Sequence, residues 1–550
     1  MAADVCRRRY MTSDKRWTLI AAVLGSSIVF LDSAVLTVAL PAIGLQPRLF
    51  VSVLEGQNYV QYGYLLTLSA LLVLAGALSD FYGRKKIFVI GLVLFGIASF
   101  VCAIAPNVEF LILARLVQGA AGAILVPGSL AILATNFQGE EQGRAFGVWA
   151  AASGIAPIIG PFIGGLLVDE LSWRWIFIIN VPLILVALWA AQRHIKESRD
   201  ETASDDFDWI GALLVGLAVG GLSFGAIYGQ QRQWQDPIAF VALAVGALSL
   251  ITLPFYFHRA RNPLVPLSMF RSRNFSVTNL STLLIYGALY VQLLFVVVYM
   301  QGTLGYTAAA VGLALIPGPL FLVFFSTRFG ALASRFGPRT FMTVGPALMS
   351  VGMLWLVRIP ADSAPWLLSI GDPATYLPPT DYFVDILPGQ LFFGLGLSIL
   401  VAPLTTALMR SVPGRQAGLA SAINNAISRV GPQLAGALIF VIVTASFYAG
   451  LANRVPGLDV NSEEVRAQLP PLNAPDPSVP PETADAAREA STEAFHLAML
   501  TTAILLALGA AVNAFGIDNR QALEPVESAS AGDDPSDQLQ RTTTEPGLSG

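Results

Sequence analysis

Apolar stretches of about 20 residues recur along the sequence, and this repeated length constrains the fold more than any other feature. A helix needs roughly 20 predominantly apolar residues to cross the hydrocarbon core of a bilayer. Fourteen such stretches follow one another, at 18–40, 57–79, 87–105, 109–134, 145–167, 174–191, 209–229, 237–257, 277–300, 307–327, 339–357, 386–409, 417–446 and 495–516. The sequence therefore predicts an all-α membrane protein with fourteen transmembrane helices.

The composition supports a lipid environment. Only 12% of the 550 residues are charged, 55% are hydrophobic, and the mean hydropathy is +0.64. Soluble domains carry about 25% charged residues, so a soluble fold of this length would have too little polar surface. The net charge of -4 argues against a nucleic-acid partner. The lipid bilayer is the partner that the composition predicts.

Cysteine and histidine give no sign of a metal or a catalytic site. The two cysteines, Cys6 and Cys102, lie in the N-terminal tail and in an apolar stretch, and the histidines are scattered without ligand spacing. No nucleophile–base pair or phosphate-binding loop is present either. We therefore expect neither a cofactor nor enzymatic activity.

The basic residues predict how the chain crosses the membrane. Residues 17–43 form an apolar run that is too long for a signal peptide, so they are predicted to form the first span. Cytoplasmic loops are enriched in Lys and Arg. Alternate loops hold most of these residues, and the opposite, outer segments hold only Arg48, Arg174, Arg232, Arg358, Arg454, Arg466 and Arg488. This bias predicts a multi-pass protein of the cell inner membrane with both termini in the cytoplasm.

An internal repeat predicts the domain organisation. Segment 76–91 resembles segment 330–345 at an offset of 254, and both follow an apolar stretch on the inner side. Transporters are commonly built from repeated halves. We therefore expect two six-helix bundles, at 18–191 and 277–516, with two inserted helices within 209–257. The other segments are predicted to be an N-terminal tail (1–17), a cytoplasmic linker (192–208), outer loops (359–385 and 447–494) and a disordered tail (517–550).

Two opposite charges are predicted to lie at similar depth in the membrane. Asp32 is the only acidic residue well inside an apolar stretch, and Arg115 lies in the fourth stretch. At 1.5 Å per residue the two lie roughly 12 and 10 Å from the outer end. Ionisable residues inside a membrane are usually functional, so the pair is a candidate for proton coupling; a permanent ion pair is the alternative. Arg429 has no acidic partner in its own half and faces either a cavity or the inner surface.

Several motifs resemble those of the fourteen-span drug:proton antiporters of the major facilitator superfamily. The first span reads LDSAVLTVALPAI (31–43), with Ala34 where the family usually has Thr. The inner loop GALSDFYGRKK (76–86) resembles the superfamily loop motif, and LARLVQGAAGA (113–123) and GIAPIIGPFIGG (154–165) resemble the span-4 and antiport motifs. The segment WRWIFIIN (173–180) opens the sixth span as in this family.

The resemblance implies roles for the motif residues. Asp32 and Arg115 would couple protons to transport. The inner-loop motif would latch one conformation, with Glu140 and Glu141 as candidate acidic partners of Arg84. These motifs comprise Gly76, Asp80, Gly83, Arg84 and Lys85 in the loop, Gln118, Gly119 and Gly122 in span 4, and Gly154, Pro157, Gly160, Pro161, Gly164 and Gly165 in span 5.

The resemblance further implies proton-coupled efflux of lipophilic small molecules by alternating access, carried out by a monomer. Candidate residues of the substrate cavity are Asn58, Gln61, Tyr62, Trp149, Tyr286, Tyr290, Gln292, Asn424, Asn425 and Arg429. The alternatives are an exporter of an endogenous lipid or secondary metabolite and, in a different class, a transport-inactive scaffold or sensor. An importer also fits the fold, although the antiport motif argues against it.

Overall fold

The computed structural model describes residues 12–137, 139–198, 208–231, 236–261, 263–369, 371–412 and 417–519, and their regular structure is helical. The first nine α-helices are α1 (Ser13–Gly44), α2 (Val53–Tyr82), α3 (Arg84–Ala103), α4 (Val108–Asn136), α5 (Gly139–Glu170), α6 (Trp175–Ile178), α7 (Asn180–His194), α8 (Trp209–Gln231) and α9 (Pro237–Arg259). The others are α10 (Arg273–Gly302), α11 (Ala308–Ala314), α12 (Pro317–Phe336), α13 (Pro338–Leu356), α14 (Leu387–Arg410), α15 (Ala417–Arg454), α16 (Glu463–Gln468) and α17 (Pro481–Gly516).

The helices pack in two groups with a pair between them. In the N half (residues 12–198), α1 packs on α4, α5 and α7, while α4 also packs on α2 and α3. In the C half (residues 272–519), α14 packs on α12 and α13, and α10 and α17 pack on α15 and on each other. Helices α8 and α9 pair together, and α8 also contacts α2 and α15. We call the end that carries residues 45–52, 303–307 and 455–480 the outer end, after the predicted orientation.

The apolar character of the helices fits a membrane protein. Eleven helices in the described part of the chain are long and apolar enough to cross a membrane. The other three predicted spans, 57–79, 145–167 and 339–357, coincide with α2, α5 and α13, which are not among those eleven. The all-helical membrane fold is therefore established, and the number of fourteen spans remains a prediction.

Proline interrupts two of the predicted spans. Span 174–191 is divided into α6 and α7, since Pro182 has no N–H to donate to the carbonyl of Ile178. Span 307–327 is divided into α11 and α12 just before Pro317, where the Ile316 amide bonds instead to the Leu313 carbonyl at 3.1 Å. Helices α7 and α11, which border these breaks, begin with residues that take part in the contacts described below.

The long outer loop predicted at 447–494 is largely helical. Helix α15 continues to Arg454 and α17 begins at Pro481, so both helices project beyond the predicted spans. The short helix α16 lies between them. The hydropathy pattern places only the apolar core of a helix, and it misses polar turns that continue outside the membrane.

Matching caps close the inner ends of the two halves. The Glu197 carboxylate accepts the backbone N–H groups of Lys85 and Lys86, at 3.0 and 3.1 Å, at the start of α3. At the start of α13, the Asn519 side-chain oxygen accepts the N–H of Arg339 at 3.1 Å. Each capped helix follows a glycine with positive φ, Gly83 at 109° and Gly337 at 87°. The resemblance of the two loops is therefore a similarity of structure as well as of sequence.

Asn519 belongs to the segment that was predicted to be a disordered tail. Residues 517–519 instead pack against the bundle: Ile517 is buried, and the Asp518 amide donates to the Asn274 side-chain oxygen at 2.8 Å. The rest of the predicted tail, together with residues 1–11 and most of the predicted linker, lies outside the described residues.

One glycine of the span-4 motif sets the distance between two helices. A Cβ atom on Gly119 of α4 would lie 2.2 Å from the Tyr64 carbonyl oxygen and 2.3 Å from the Thr67 hydroxyl oxygen on α2. Backbone atoms cannot move aside as a flexible side chain can. The close packing of α2 on α4 therefore depends on the absence of a side chain at this position.

Replacing Gly119 by Ala should destabilise the protein by about 1–3 kcal/mol, which is the usual effect of overpacking, although Ala favours helices more than Gly does. Gly216→Ala in α8 is the matched control, because the nearest atom to its Cβ would be 3.5 Å away, an ordinary contact. Apparent melting temperatures in detergent would show the difference. Equal melting temperatures for the two variants would contradict the dependence of this helix packing on Gly119.

Candidate functional site

A buried ion pair lies in the centre of the N half. Asp32 on α1 and Arg115 on α4 are 2% and 0% exposed, and the Arg115 Nη1 atom donates to the Asp32 Oδ2 atom at 2.5 Å. The structure thus brings together the two charges that the sequence placed at similar depth. Both helices belong to the same half, so the pair does not depend on a contact with the C half.

Two amide side chains hold the other carboxylate oxygen of Asp32. Gln118 Nε2 donates to Oδ1 at 3.0 Å and Asn180 Nδ2 donates to it at 2.8 Å. The Ser99 hydroxyl accepts from the same two amides, at 3.3 and 3.1 Å, and donates to the Phe177 carbonyl at 2.9 Å. The carboxylate is therefore surrounded by three donors, whose geometry is fixed by helices α3, α4 and α7.

Arg115 is held by contacts on several sides. Its Nε donates to the Val60 carbonyl at 3.2 Å and its Nη1 donates to Gln118 Oε1 at 2.6 Å. The guanidinium lies over the Tyr64 ring at 4.1 Å from the ring centre, a cation–π contact. Its Nη2 atom has no hydrogen-bond partner within the described ranges. The positive charge is thus compensated mainly by one carboxylate.

The charge of Arg115 can stay buried only while it is paired with that of Asp32. A paired charge in a protein interior tolerates burial, whereas a buried charge without its partner is strongly disfavoured. Adding a proton to Asp32 would remove its negative charge and leave the Arg115 charge uncompensated. The chemical capacity of the site is therefore to link the protonation of one carboxylate to the solvation of one guanidinium.

Sequence reasoning missed Asn180 and Ser99. Asn180 ends the segment WRWIFIIN, whose resemblance to the family does not by itself assign a role to any of its residues. The break between α6 and α7 places Asn180 at the first residue of α7, where its side chain turns toward α1. No pattern around Ser99 distinguishes it from an ordinary small residue in a helix–helix contact.

The inner-loop motif lies at the junction of α2 and α3. Gly76 lies within α2, Gly83 separates the helices, and Arg84 and Lys85 begin α3. The Lys85 Nζ atom donates to the Gln192 carbonyl at 2.8 Å. The side chain of Asp80 lies outside the described part of the structure.

The acidic residue found at this loop is Glu197, which sequence reasoning did not propose because it lies in the predicted linker. Its carboxylate caps α3 as described above, and it lies so close to Gly83 that a Cβ there would be 2.7 Å from Oε1. Of the two candidates for pairing with Arg84, Glu141 forms an ion pair with Lys15. The side chain of Glu140 lies outside the description.

The antiport motif packs α5 against helices of both halves. Cβ atoms on Gly160 and Gly164 would lie 2.8 Å from the side chains of Ala34 and Val35 on α1. A Cβ on Gly165 would lie 2.5 Å from the Ala308 carbonyl oxygen on α11. In turn, a Cβ on Gly312 of α11 would lie 2.5 Å from the carbonyl oxygen of the motif's Pro161. The surroundings of Gly154 and Pro157 are outside the described side chains.

An aspartate that follows the antiport motif joins the two halves at the outer end. The Asp169 carboxylate accepts the N–H groups of Ala308 and Ala309, at 3.2 and 2.7 Å, at the start of α11. Partial shielding of its carboxylate from water raises the pKa of Asp169, although the two amide hydrogen bonds oppose this effect. An anionic side chain is stabilised at a helix N-terminus, so this contact holds the outer ends of α5 and α11 together.

Four predicted cavity residues are buried with polar atoms that have no partner among the residues described: Asn58, Gln61 and Tyr62 on α2, and Gln292 on α10. The α2 face that carries three of them points toward α15. Ser69, two turns after Tyr62, bonds to Gln433 at 3.2 Å, and a Cβ on Gly436 would lie 3.0 Å from the Tyr62 ring. Buried polar groups normally have partners, so this face has unused capacity for hydrogen bonding.

The other predicted cavity residues lie in varied surroundings. Asn424 on α15 donates to Asn279 and Thr282 on α10, at 3.0 and 2.9 Å. Arg429 is 7% exposed, and its Nε has no partner in the described structure. Trp149 donates to the Ser129 hydroxyl at 3.0 Å inside the N half. Residues that are half-buried or exposed are Tyr286, Tyr290 and Asn425.

Comparison with known proteins identifies the family. Residues 22–436 match the family model described as Major Facilitator Superfamily, and the chain belongs to this superfamily of membrane transporters. It is 31% identical over 435 residues to "Multidrug resistance protein Stp" of Mycobacterium tuberculosis, which covers 79% of this chain and 77% of that protein. It is 32% identical over 436 residues to "Methylenomycin A resistance protein" of Bacillus subtilis, which covers 78% of this chain and 89% of that protein.

Solved structures share the fold. A bacterial homologue of the human lysosomal transporter Spinster, described as inward-facing and unoccupied, matches with a TM-score of 0.58 and 15% identity. The match covers 94% of this chain and 98% of that chain. A nucleoside transporter, NupG, matches with a TM-score of 0.57 and 11% identity, over 91% of this chain and 100% of that chain. At these identities the likeness shows the fold alone.

Replacing Asn180 by Leu should destabilise the protein by about 1.5–3 kcal/mol, because a buried carboxylate then loses a hydrogen bond. The apparent melting temperature in detergent, compared with that of wild type, measures the effect.

Asn513→Leu is the matched control. Asn513 is another fully buried asparagine in a helix, and its Nδ2 donates to the Met342 carbonyl at 2.8 Å, far from Asp32 in the C half. This bond goes to a neutral carbonyl, so its loss should cost less, about 0.5–1.5 kcal/mol. An equal fall in melting temperature for the two variants would contradict a special contribution of Asn180 beside the carboxylate.

Proposed function

We propose that this protein is a proton-driven exporter of lipophilic drugs and similar compounds across the cytoplasmic membrane, working by alternating access with fourteen spans and both termini inside. The observation that carries the proposal is the buried Asp32–Arg115 pair with its three donors to the carboxylate. An ionisable pair in this position is costly, and a scaffold or sensor that does not transport has no evident need for it.

The names of the relatives support a role in drug efflux. Besides the two proteins above, the chain is 32% identical over 447 residues to "Puromycin resistance protein pur8" of Streptomyces alboniger. It is also 31% identical over 430 residues to "Tetracenomycin C resistance and export protein" of Streptomyces glaucescens. These relatives are named for resistance to different antibiotics, which favours lipophilic compounds as a class over any single substrate.

Contacts between the halves support alternating access. At the outer end, Gln57 Nε2 donates to Asn473 Oδ1 at 2.8 Å and Gln301 Nε2 donates to the Val38 carbonyl at 3.0 Å. The Asp169 contact with α11 and the Gly165–Ala308 contact lie at the same end. All of them join the N half to the C half, so the outer end must break them to open. This state corresponds to a transporter that is closed on the outer side.

Proton coupling follows from the cost of separating the pair. In the closed state Asp32 is a carboxylate bound to Arg115, with little space for water. A proton that reaches Asp32 cancels its charge, and Arg115 then needs a new partner or contact with water. Opening of the cavity supplies that contact. Proton binding and conformational change are thereby linked, and proton release on the inner side resets the pair.

The substrate would bind between the halves, along the α2 face that carries Asn58, Gln61 and Tyr62. Broad-specificity sites combine apolar walls with a few polar groups. Asp32 is the only buried carboxylate in the described ranges, and it is already engaged by Arg115. This favours neutral or singly positive lipophilic compounds over substrates with several positive charges.

Ethidium efflux from a pump-deficient bacterial host tests the proposal. Wild type should export the dye, and a protonophore should abolish export by collapsing the gradient. Asp32→Asn should also abolish it, because the amide keeps the shape of the carboxylate but cannot exchange a proton. Fluorescence of preloaded cells follows the rate.

Asp372→Asn serves as the control, since Asp372 lies in the outer loop and caps the short turn Pro373–Thr375. It should export like wild type. Normal export by Asp32→Asn at equal expression would refute the coupling role of Asp32. Failure of wild type to export any of a broad panel of dyes would favour a narrow substrate such as an endogenous lipid.

A further inference from the structure

A cavity lies at the outer end, apart from the ion pair. It has a volume of about 1020 Å³ and lies between the loop that joins α1 to α2, the outer part of α15, and the segment that includes α16. None of Asp32, Arg115, Gln118 or Asn180 lines it. Ligand pockets commonly measure about 300–1,000 Å³, so the space suits a drug-sized or lipid-sized molecule.

The inner wall of this cavity is apolar. Leu54, Phe440 and Tyr448 line it and are 2%, 5% and 8% exposed. One polar group interrupts this wall: the Thr444 hydroxyl is buried and has no hydrogen-bond partner in the part of the chain described. A ligand with an extended apolar body and a hydrogen-bonding group would match this surface.

Two arginines stand at the rim. Arg466 donates to the Val460 carbonyl and the Asn461 side chain, at 3.1 and 3.3 Å, and lies over the Tyr448 ring at 4.8 Å. Arg48 Nη1 donates to the Gly44 carbonyl at 2.5 Å. A guanidinium carries five N–H donors, so these contacts fix both side chains and leave donors for a ligand.

The acidic residues at the rim are placed differently. Glu55 forms a capping box with Ser52, in which its carboxylate accepts the Ser52 amide at 2.8 Å. Glu463 lies in the first turn of α16, where the helix dipole stabilises an acidic side chain. The Glu55 carboxylate is thus bonded to the start of its own helix, and the guanidiniums are the rim groups suited to an anionic ligand.

We propose that the outer cavity binds an amphiphile with a lipophilic body and an anionic group, a phosphate or a carboxylate, held by Arg48 and Arg466. Guanidinium groups match the geometry of both anions. Leu49 and Phe50, which are 64% and 79% exposed at the rim, would face the outer leaflet and give access from the lipid. The inference rests on the proposed orientation in the membrane and is independent of proton coupling.

Because the cavity lies between the two halves, a ligand bound there would affect their movement relative to each other. One wall, 48–55, belongs to the N half, and the opposite wall, from Phe440 to Pro471, belongs to the C half. A rocking movement of the halves would change the distance between the walls. Binding of an amphiphile therefore favours the conformation of this structure, with its distance between the two walls, over conformations in which that distance differs.

Native mass spectrometry of the full chain in a neutral detergent tests the proposal with two probes. Phosphatidylglycerol represents a lipid of the outer leaflet, and dodecanoate represents a single-chain exported compound. We expect wild type to bind at least one of them. The double variant Arg48→Gln/Arg466→Gln and the variant Ala445→Trp, which fills the cavity from an exposed wall position, should each bind at least tenfold more weakly.

Two control variants show whether a loss of binding is specific to this cavity. Arg488→Gln removes an exposed arginine of α17 that does not line the cavity, and it should bind like wild type. Asp372→Asn changes an outer-loop residue that does not line the cavity and should also bind like wild type. The measurement involves no transport, so the site is tested even if the proposed export fails. Binding of only one probe identifies the source of the amphiphile. Undiminished binding by both cavity variants, or no binding by wild type, would overturn the proposal.

Discussion

The structure depends on a buried ion pair that one half of the protein holds by itself. Asp32 and Arg115 come from α1 and α4, and Gln118, Ser99 and Asn180 fix their positions. Removing one partner of such a pair typically costs about 3–5 kcal/mol, because the other charge remains buried. Each conformation of the protein must therefore either keep the two charges paired or give the unpaired charge contact with water. We propose that this constraint couples protons to movement.

Close helix contacts at glycines occur both within the N half and between the two halves. Gly119 fixes α4 against α2 inside the N half, whereas Gly165 and Gly312 bring α5 and α11 together across the halves. The first contact lies within the half that holds the ion pair. The second joins the two halves, through close backbone contacts and the Asp169 cap. In the proposed rocking movement, the second contact would separate while the first stays closed.

The sequence predicted some of these features well. Long apolar stretches gave the helices, because membrane insertion depends on summed hydropathy, and the depth of Asp32 and Arg115 followed from helix rise. Asn180, Glu197 and Asp169 were not predicted as site residues. Each is a polar residue near a helix end whose partner lies on another helix, and one sequence does not show such pairing. The outer cavity was missed for the same reason, since its walls come from segments about 390 residues apart.

We propose that Asp32 exchanges a proton each time the transporter moves its substrate. The direct measurement is proton movement in proteoliposomes that contain the purified protein and a trapped pH-sensitive dye. An imposed gradient of a transported lipophilic cation should drive protons in the opposite direction through wild type, and Asp32→Asn should give no proton movement above that of empty liposomes. Proton movement at the wild-type rate in Asp32→Asn would show that another group carries the proton.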